Sequence, residues 1–108
     1  MSKPVTPGEL KDLKWQKKDV VIVDVRRKQD FDADTVKIRG AEWHDPEKAE
    51  EWIDLVPNDK PVVVYCVKGG AVSQSIAEML EGRKVNARYV KGGINAWKEA
   101  GGETEEKV

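Results

Sequence analysis

Two runs of β-branched residues constrain this chain more than any other feature. Val20-Val21-Ile22-Val23 and Val62-Val63-Val64-Tyr65-Cys66-Val67 are continuously apolar rather than alternating. Strands of that kind need cover on both faces, which is the situation in a parallel sheet with helices packed above and below it. Parallel neighbours require long crossovers, and the sequence between and around the runs reads as helices. Thr6-Pro7-Gly8-Glu9 has the form of a helix start, with Thr6 as the cap, Pro7 at the first position and Glu9 closing a capping box. Leu10 and Leu13 then face inward. Asp45-Pro46 opens a second helix in which Ala49, Trp52, Ile53 and Val56 share a face until Pro57 ends it. A third begins at Ala71, carries Val72, Ile76, Met79 and Leu80 at helical spacing and leaves at Gly82.

Ala41 to His44 and Ala87 to Val90 are further short extended segments. Gly92-Gly93 is a turn, and Ile94 to Ala100 is a last helix closed by Gly101-Gly102. Arg27 to Arg39 reads as a polar connection. The expectation is one α/β domain over residues 1–108, ordered from about residue 4 to 101, with residues 102–108 a frayed polar tail.

Charge and cysteine usage exclude several classes of function. The 19 Lys plus Arg against 20 Asp plus Glu leave a net charge of −1, so there is no basic surplus to displace counterions from phosphates, and no nucleic-acid partner is expected. The longest apolar run, Val62 to Val67, is far short of the roughly 20 residues a bilayer span needs, and no membrane partner is expected. Met1-Ser2-Lys3-Pro4-Val5-Thr6 leads into a charged stretch with no apolar signal segment, which makes the cytoplasm the default location. One cysteine forms neither an intrachain disulfide nor a Cys-x-x-Cys pair, and one Cys with one His would leave a zinc site dependent on carboxylates.

Cys66 is therefore either a buried small hydrophobe or a lone nucleophile. Its position decides between them. It ends the most apolar strand, precedes a loop containing Gly69 and Gly70, and stands ahead of a helix whose positive end would face the sulfur. The two glycines allow a ligand close to the loop amides, and Lys68 adds a full charge nearby. All of these favour thiolate over thiol.

At these residues the chain resembles the single-domain rhodanese sulfurtransferases. The resemblance rests on Val23-Asp24-Val25-Arg26 with Phe31 five residues on, on Ile38-Arg39-Gly40-Ala41, on Tyr65-Cys66-Val67-Lys68-Gly69-Gly70-Ala71-Val72-Ser73, and on Gly92-Gly93-Ile94-Asn95-Ala96-Trp97. It implies a five-stranded parallel sheet with helices on both faces and a persulfide mechanism. Cys66 would take sulfur from a donor such as thiosulfate and pass it to cyanide, a thiol or a protein acceptor. Val67, Lys68, Gly69, Gly70, Ala71 and Val72 would cradle the donor, with no cofactor and no metal. Two positions depart from the pattern. Ala71 stands where many members carry Arg, which leaves Lys68 as the loop's only cation, and Arg39 stands where Pro is more usual.

Other chemistry-bearing residues read more simply. Asp24 and Arg26 are possible supports of the site, with a structural ion pair at a strand end the favoured role. His44 is expected at a surface or edge position rather than as a base. Trp15, Trp43, Trp52 and Trp97 read as core and rim packing. The charge runs Lys11 to Lys18 and Glu47 to Glu51 read as solvated helix faces. Two competing functions remain: a sulfur carrier or docking module with little turnover on small donors, and a phosphatase or arsenate reductase. The last needs an Arg six residues after the cysteine, where this chain has Val72.

Overall fold

The computed structural model describes residues 3–16 and 19–107. Met1, Ser2, Lys17, Lys18 and Val108 lie outside the described residues, and with them the far end of the Lys11–Lys18 run and the last residue of the expected tail. The strands are β1 (Lys3–Val5), β2 (Val21–Asp24), β3 (Val36–Ile38), β4 (Glu42–Trp43), β5 (Val62–Tyr65), β6 (Ala87–Val90) and β7 (Thr104–Glu106). The helices are α1 (Pro7–Gln16), α2 (Lys28–Ala33), α3 (Ala49–Trp52), α4 (Ala71–Gly82) and α5 (Gly93–Glu99), with 3-10 turns at Pro46–Lys48 and Ile53–Leu55 on either side of α3.

The two apolar runs form the centre of a five-stranded sheet in the order β1-β6-β5-β2-β4. Every pairing in it is parallel, and the β2–β5 register sets Val21 against Val62 and Asp24 against Tyr65. Alternation along these strands divides the core into two layers. Ile22, Val63 and Tyr65 pack with Leu10, Ile94 and Trp97 under α1 and α5. Val23, Val62 and Val64 pack with Trp52, Ile53, Ile76, Ala77 and Leu80 under α3 and α4. Helices thus cover both faces, and the carboxyl ends of β2 and β5 open side by side at one rim. No helix of the described residues is long and apolar enough to cross a membrane.

The Thr6 capping box forms as read: the Thr6 amide donates to Glu9 Oε1 at 2.9 Å and the Glu9 amide to Thr6 Oγ1 at 3.1 Å. Several expectations need correction. The fifth strand, β1, falls in the N-terminal lead-in; it is an edge strand with Pro4 at its middle, a position that tolerates a missing donor only at an edge. The polar connection contains α2 and β3. The tail is not frayed over its described residues, because β7 pairs antiparallel with β3, Val36 opposite Glu106 and Ile38 opposite Thr104. Arg39–Glu103 and Lys37–Glu105 ion pairs flank that ladder, and Trp97 Nε1 donates to the Glu103 carbonyl at 2.8 Å. Trp15 is 86% exposed; it sits about 140° around α1 from Leu10, away from the buried stripe. Trp52 and Trp97 are buried as expected, and Trp43 is half-buried.

Deleting residues 103–108 removes β7, the Glu103 and Lys107 backbone bonds and the two flanking ion pairs. The expected loss is about 2–4 kcal/mol of unfolding free energy, from several hydrogen bonds worth about 1 kcal/mol each. Urea denaturation with an unchanged midpoint would show that the β3–β7 sheet carries no stability.

Candidate active site

Cys66 follows the last residue of β5, at the carboxyl edge of the sheet, and is 7% exposed. Its thiol donates to Ser73 Oγ at 3.2 Å, and the Ser73 hydroxyl donates onward to the Gly70 carbonyl at 3.4 Å. Ser73 is fully buried in the first turn of α4. A hydroxyl donates as well as accepts, so on loss of the thiol proton Ser73 can turn its O–H toward the sulfur.

The loop between β5 and α4 has the carbonyls of Cys66, Val67, Gly69 and Gly70 engaged. The Cys66 carbonyl accepts from Ile94 N at 3.0 Å and the Val67 carbonyl from Asn95 N at 3.2 Å, so the start of α5 caps the loop from behind. The Gly69 carbonyl accepts from Gln74 Nε2 at 2.9 Å, and the Gly70 carbonyl accepts from Gln74 N as well as from Ser73. With these oxygens turned away and no side-chain cap at Gly70, the first-turn amides of α4 at Ala71, Val72 and Ser73 have no intrahelical acceptor. Together with the helix dipole they make the start of α4 electropositive, a setting suited to an anion.

The glycines serve different ends. Gly69 adopts φ +70° and lies so close to α5 that a Cβ there would stand 2.7 Å from Gly92 N and from the Val90 carbonyl. Gly93, at φ +61°, would drive a Cβ into the Cys66 and Val67 carbonyls. Gly70 has a negative φ; no protein atom lies within 4 Å of where its Cβ would be, which leaves the approach to the loop open, as the sequence suggests. Lys68 is exposed at the loop's tip, and Ala71 and Val72 lie exposed and half-buried at the start of α4.

Asp24 and Arg26 are buried at the neighbouring strand end, 0% and 1% exposed. Their side chains are engaged with each other and with the surrounding segments. Asp24 accepts from Arg26 Nη2 at 2.7 Å, from Arg26 Nε, from the Arg26 amide and from the Tyr65 hydroxyl at 2.8 Å. Arg26 also donates to Asp34 Oδ2 at 3.0 Å and to the Val36 carbonyl at 3.1 Å, and its own carbonyl accepts from Trp43 Nε1. Burial acts to lower the Arg26 pKa, but its hydrogen bonds and charge pairing with Asp24 outweigh that and raise it. Burial, reinforced by the Asp24 carboxylate, holds the Tyr65 phenol far above its usual range. Burial pushes Asp34 upward, and the hydrogen bond from Lys98 with the other donors and cations around it brings it below the usual carboxylate range. Through the Tyr65 hydroxyl the cluster ties the end of β2 to the last residue of β5, next to Cys66.

His44 stacks on Trp52 with centroids 4.9 Å apart and lies beside Glu42 of β4. Among the described residues no group of three or more His, Cys, Asp or Glu is placed to hold a metal ion. Sequence reasoning passed over Ser73, Gln74 and Tyr65 as site-shaping residues. Ser73 stood inside the quoted motif, and its place in the first turn of a helix after the cysteine was the available signal.

The model of the rhodanese-like domain matches residues 6–100. The chain belongs to that family. Thiosulfate sulfurtransferase GlpE of Coxiella burnetii is 33% identical over 84 residues, covering 77% of this chain and 76% of the relative. A rhodanese-like domain protein from Staphylococcus aureus superposes on this rhodanese-like domain with a TM-score of 0.81 at 28% identity, covering 98% of this chain and 99% of the other. A protein from Rhodopseudomonas palustris described as a possible tyrosine phosphatase reaches 0.82 at 28% identity over 96% and 85%.

Asp24→Asn keeps the shape but leaves the buried Arg26 guanidinium with Asp34 as its one carboxylate partner, and it is expected to cost about 2–4 kcal/mol of stability. Thermal and urea unfolding measure this. A loss under about 1 kcal/mol would mean that the pair is not what fixes the strand ends.

Proposed function

We propose that this protein is a sulfurtransferase that carries a sulfane sulfur as a Cys66 persulfide, loaded from thiosulfate or a related donor and delivered to cyanide, a thiol or a protein acceptor. The observation that carries the reading is the cysteine's setting: buried directly after β5 and hydrogen-bonded to Ser73 in the first turn of α4, a turn whose amides at Ala71, Val72 and Ser73 have no intrahelical acceptor. The thiosulfate sulfurtransferase named above supports thiosulfate as donor.

In the loading step the Cys66 thiolate attacks the outer sulfur of thiosulfate. A Sγ–S bond forms, the S–S bond of the donor breaks, and its electron pair leaves with sulfite. Charge is conserved, three negative charges before and three after, and no oxidant is needed. The transition state concentrates that charge at the loop, where fixed amide dipoles stabilise it without reorganisation. Ser73 turns its hydroxyl to the inner sulfur, and Lys68 adds the loop's side-chain cation. The reaction needs no acid or base on the protein, which leaves His44 and the buried Asp24–Arg26 pair outside the chemistry. Bidentate clamping of a phosphate has no matching residue, since the sixth position after Cys66 is Val72. A lone reactive thiol suits a reducing compartment, and the reading takes the cytoplasm as the protein's location.

Mass spectrometry after thiosulfate treatment tests the reading. The protein is expected to gain the mass of one sulfur, which cyanide or a thiol removes. Cys66→Ser is expected to abolish both the gain and thiosulfate:cyanide turnover while circular dichroism stays unchanged. Turnover that survives the substitution would sink the proposal, because the chain has no other cysteine. Loading that proceeds with negligible turnover on small acceptors would favour the carrier reading.

Lys68→Ala is expected to lower the second-order rate constant for thiosulfate about 5- to 30-fold, and to flatten its dependence on salt. Stopped-flow loading at two ionic strengths measures both. Full activity with an unchanged salt response would assign donor binding to the amides alone.

A further inference from the structure

A groove of about 290 Å³ runs along the outer flank of α4, between that helix and the turn at Pro46. It begins at Ala71 and Val72, in the same helical turn that holds the Cys66 sulfur through Ser73. Its floor is apolar: Val72, Ile76 and Met79 succeed one another along α4, with Pro46 facing them. From Val72 to Met79 the helix rises about 10 Å, the length of a short aliphatic chain.

Arg27 stands on the wall of this groove. Its neighbours are paired, Arg26 with Asp24 and Asp34 and Lys28 with Asp32. Arg27 is exposed, and among the described residues its guanidinium has no ion-pair or hydrogen-bond partner. Glu47 also lines the groove and is not paired with it. An unpaired guanidinium beside an apolar channel that opens at a nucleophile's helix matches a molecule with a carbon frame and one carboxylate. Thiosulfate has no apolar surface to bury there. The volume is at the lower end for small-molecule sites, about 300–1,000 Å³.

We infer that this groove is the acceptor subsite, taking a small aliphatic thiol whose carboxylate pairs with Arg27. The inference rests on the persulfide reading above. The acceptor's thiolate attacks the outer sulfur of the Cys66 persulfide; a new S–S bond forms on the acceptor, the bond to Sγ breaks, and its electron pair returns to Cys66 as thiolate. The product is the acceptor persulfide.

Protein loaded with thiosulfate and freed of excess donor tests this in single turnovers, with 3-mercaptopropionate, the neutral 3-mercapto-1-propanol of equal length, and cyanide. Wild type is expected to reach half-maximal discharge at a concentration of 3-mercaptopropionate about fivefold below that of the alcohol, the size of one half-exposed charge pair. Arg27→Gln is expected to abolish that preference and Arg27→Lys to keep part of it; a purely structural role would shift both thiols alike. With loading and cyanide discharge normal, a wild type that shows no preference between the two thiols, or a preference that Arg27→Gln leaves unchanged, overturns the acceptor subsite and leaves the sulfurtransferase reading standing. Protein that does not load, or that cyanide cannot discharge, overturns both.

Discussion

The buried pair of Asp24 and Arg26 is the interaction on which the arrangement of this molecule turns. Two opposite charges removed from water are tolerable only when every lone pair and donor around them is met, and here the partners come from widely separated segments. Tyr65 reaches across from β5, Asp34 and Val36 come from the segment after α2, and Trp43 comes from β4. Such a pair adds little net stability over an apolar core of equal volume, but it makes misplacement of any one segment costly. Tyr65 is the residue before Cys66, and its hydroxyl also accepts from the Ile38 amide. The position of Cys66 is thereby referred to β2 and β3 as well as to its own strand.

A second constraint acts from the other side of the loop. The start of α5 comes so close to residues 66–69 that side chains at Gly69 and Gly93 would collide with backbone. That closeness lets the Ile94 and Asn95 amides take the Cys66 and Val67 carbonyls. A peptide group whose oxygen is held on one side presents its N–H on the other, so one helix terminus orients the backbone that the other helix terminus completes. The apolar side of α4 next to the loop, by contrast, is left half-exposed at Val72 and Met79.

The central features were legible in the sequence because they rest on strong local patterns. Uninterrupted Val and Ile runs, a Thr-x-x-Glu cap and a glycine loop after the cysteine each have one natural structural reading. What escaped was short, polar or held from a distance. β1 and β7 have three residues each and little apolar signal of their own, and they exist because a distant partner offers a ladder. α2 buries none of its residues; Phe31 is kept in place by stacking on Trp43 and by Lys107 above its ring. Trp15 was assigned to packing by residue type, whereas its angular position on α1 puts it in solvent. In the site, Cys66 and its glycines were readable from order along the chain. Ser73, Gln74 and Tyr65 act through side-chain geometry that spacing alone does not encode.

The β3–β7 pairing gives the chain an order in time. Val36 lies in β3, a third of the way along the chain, and its carbonyl is one of the acceptors for the buried Arg26 guanidinium; its ladder partner Glu106 lies near the far end. Contacts between residues so far apart in sequence form late, since the whole intervening loop must be closed first. Until then one support of the guanidinium lacks its outer brace. The cysteine's surroundings thus lean, through Tyr65, Arg26 and Val36, on a contact between distant parts of the chain, made by residues outside the cysteine's own loop.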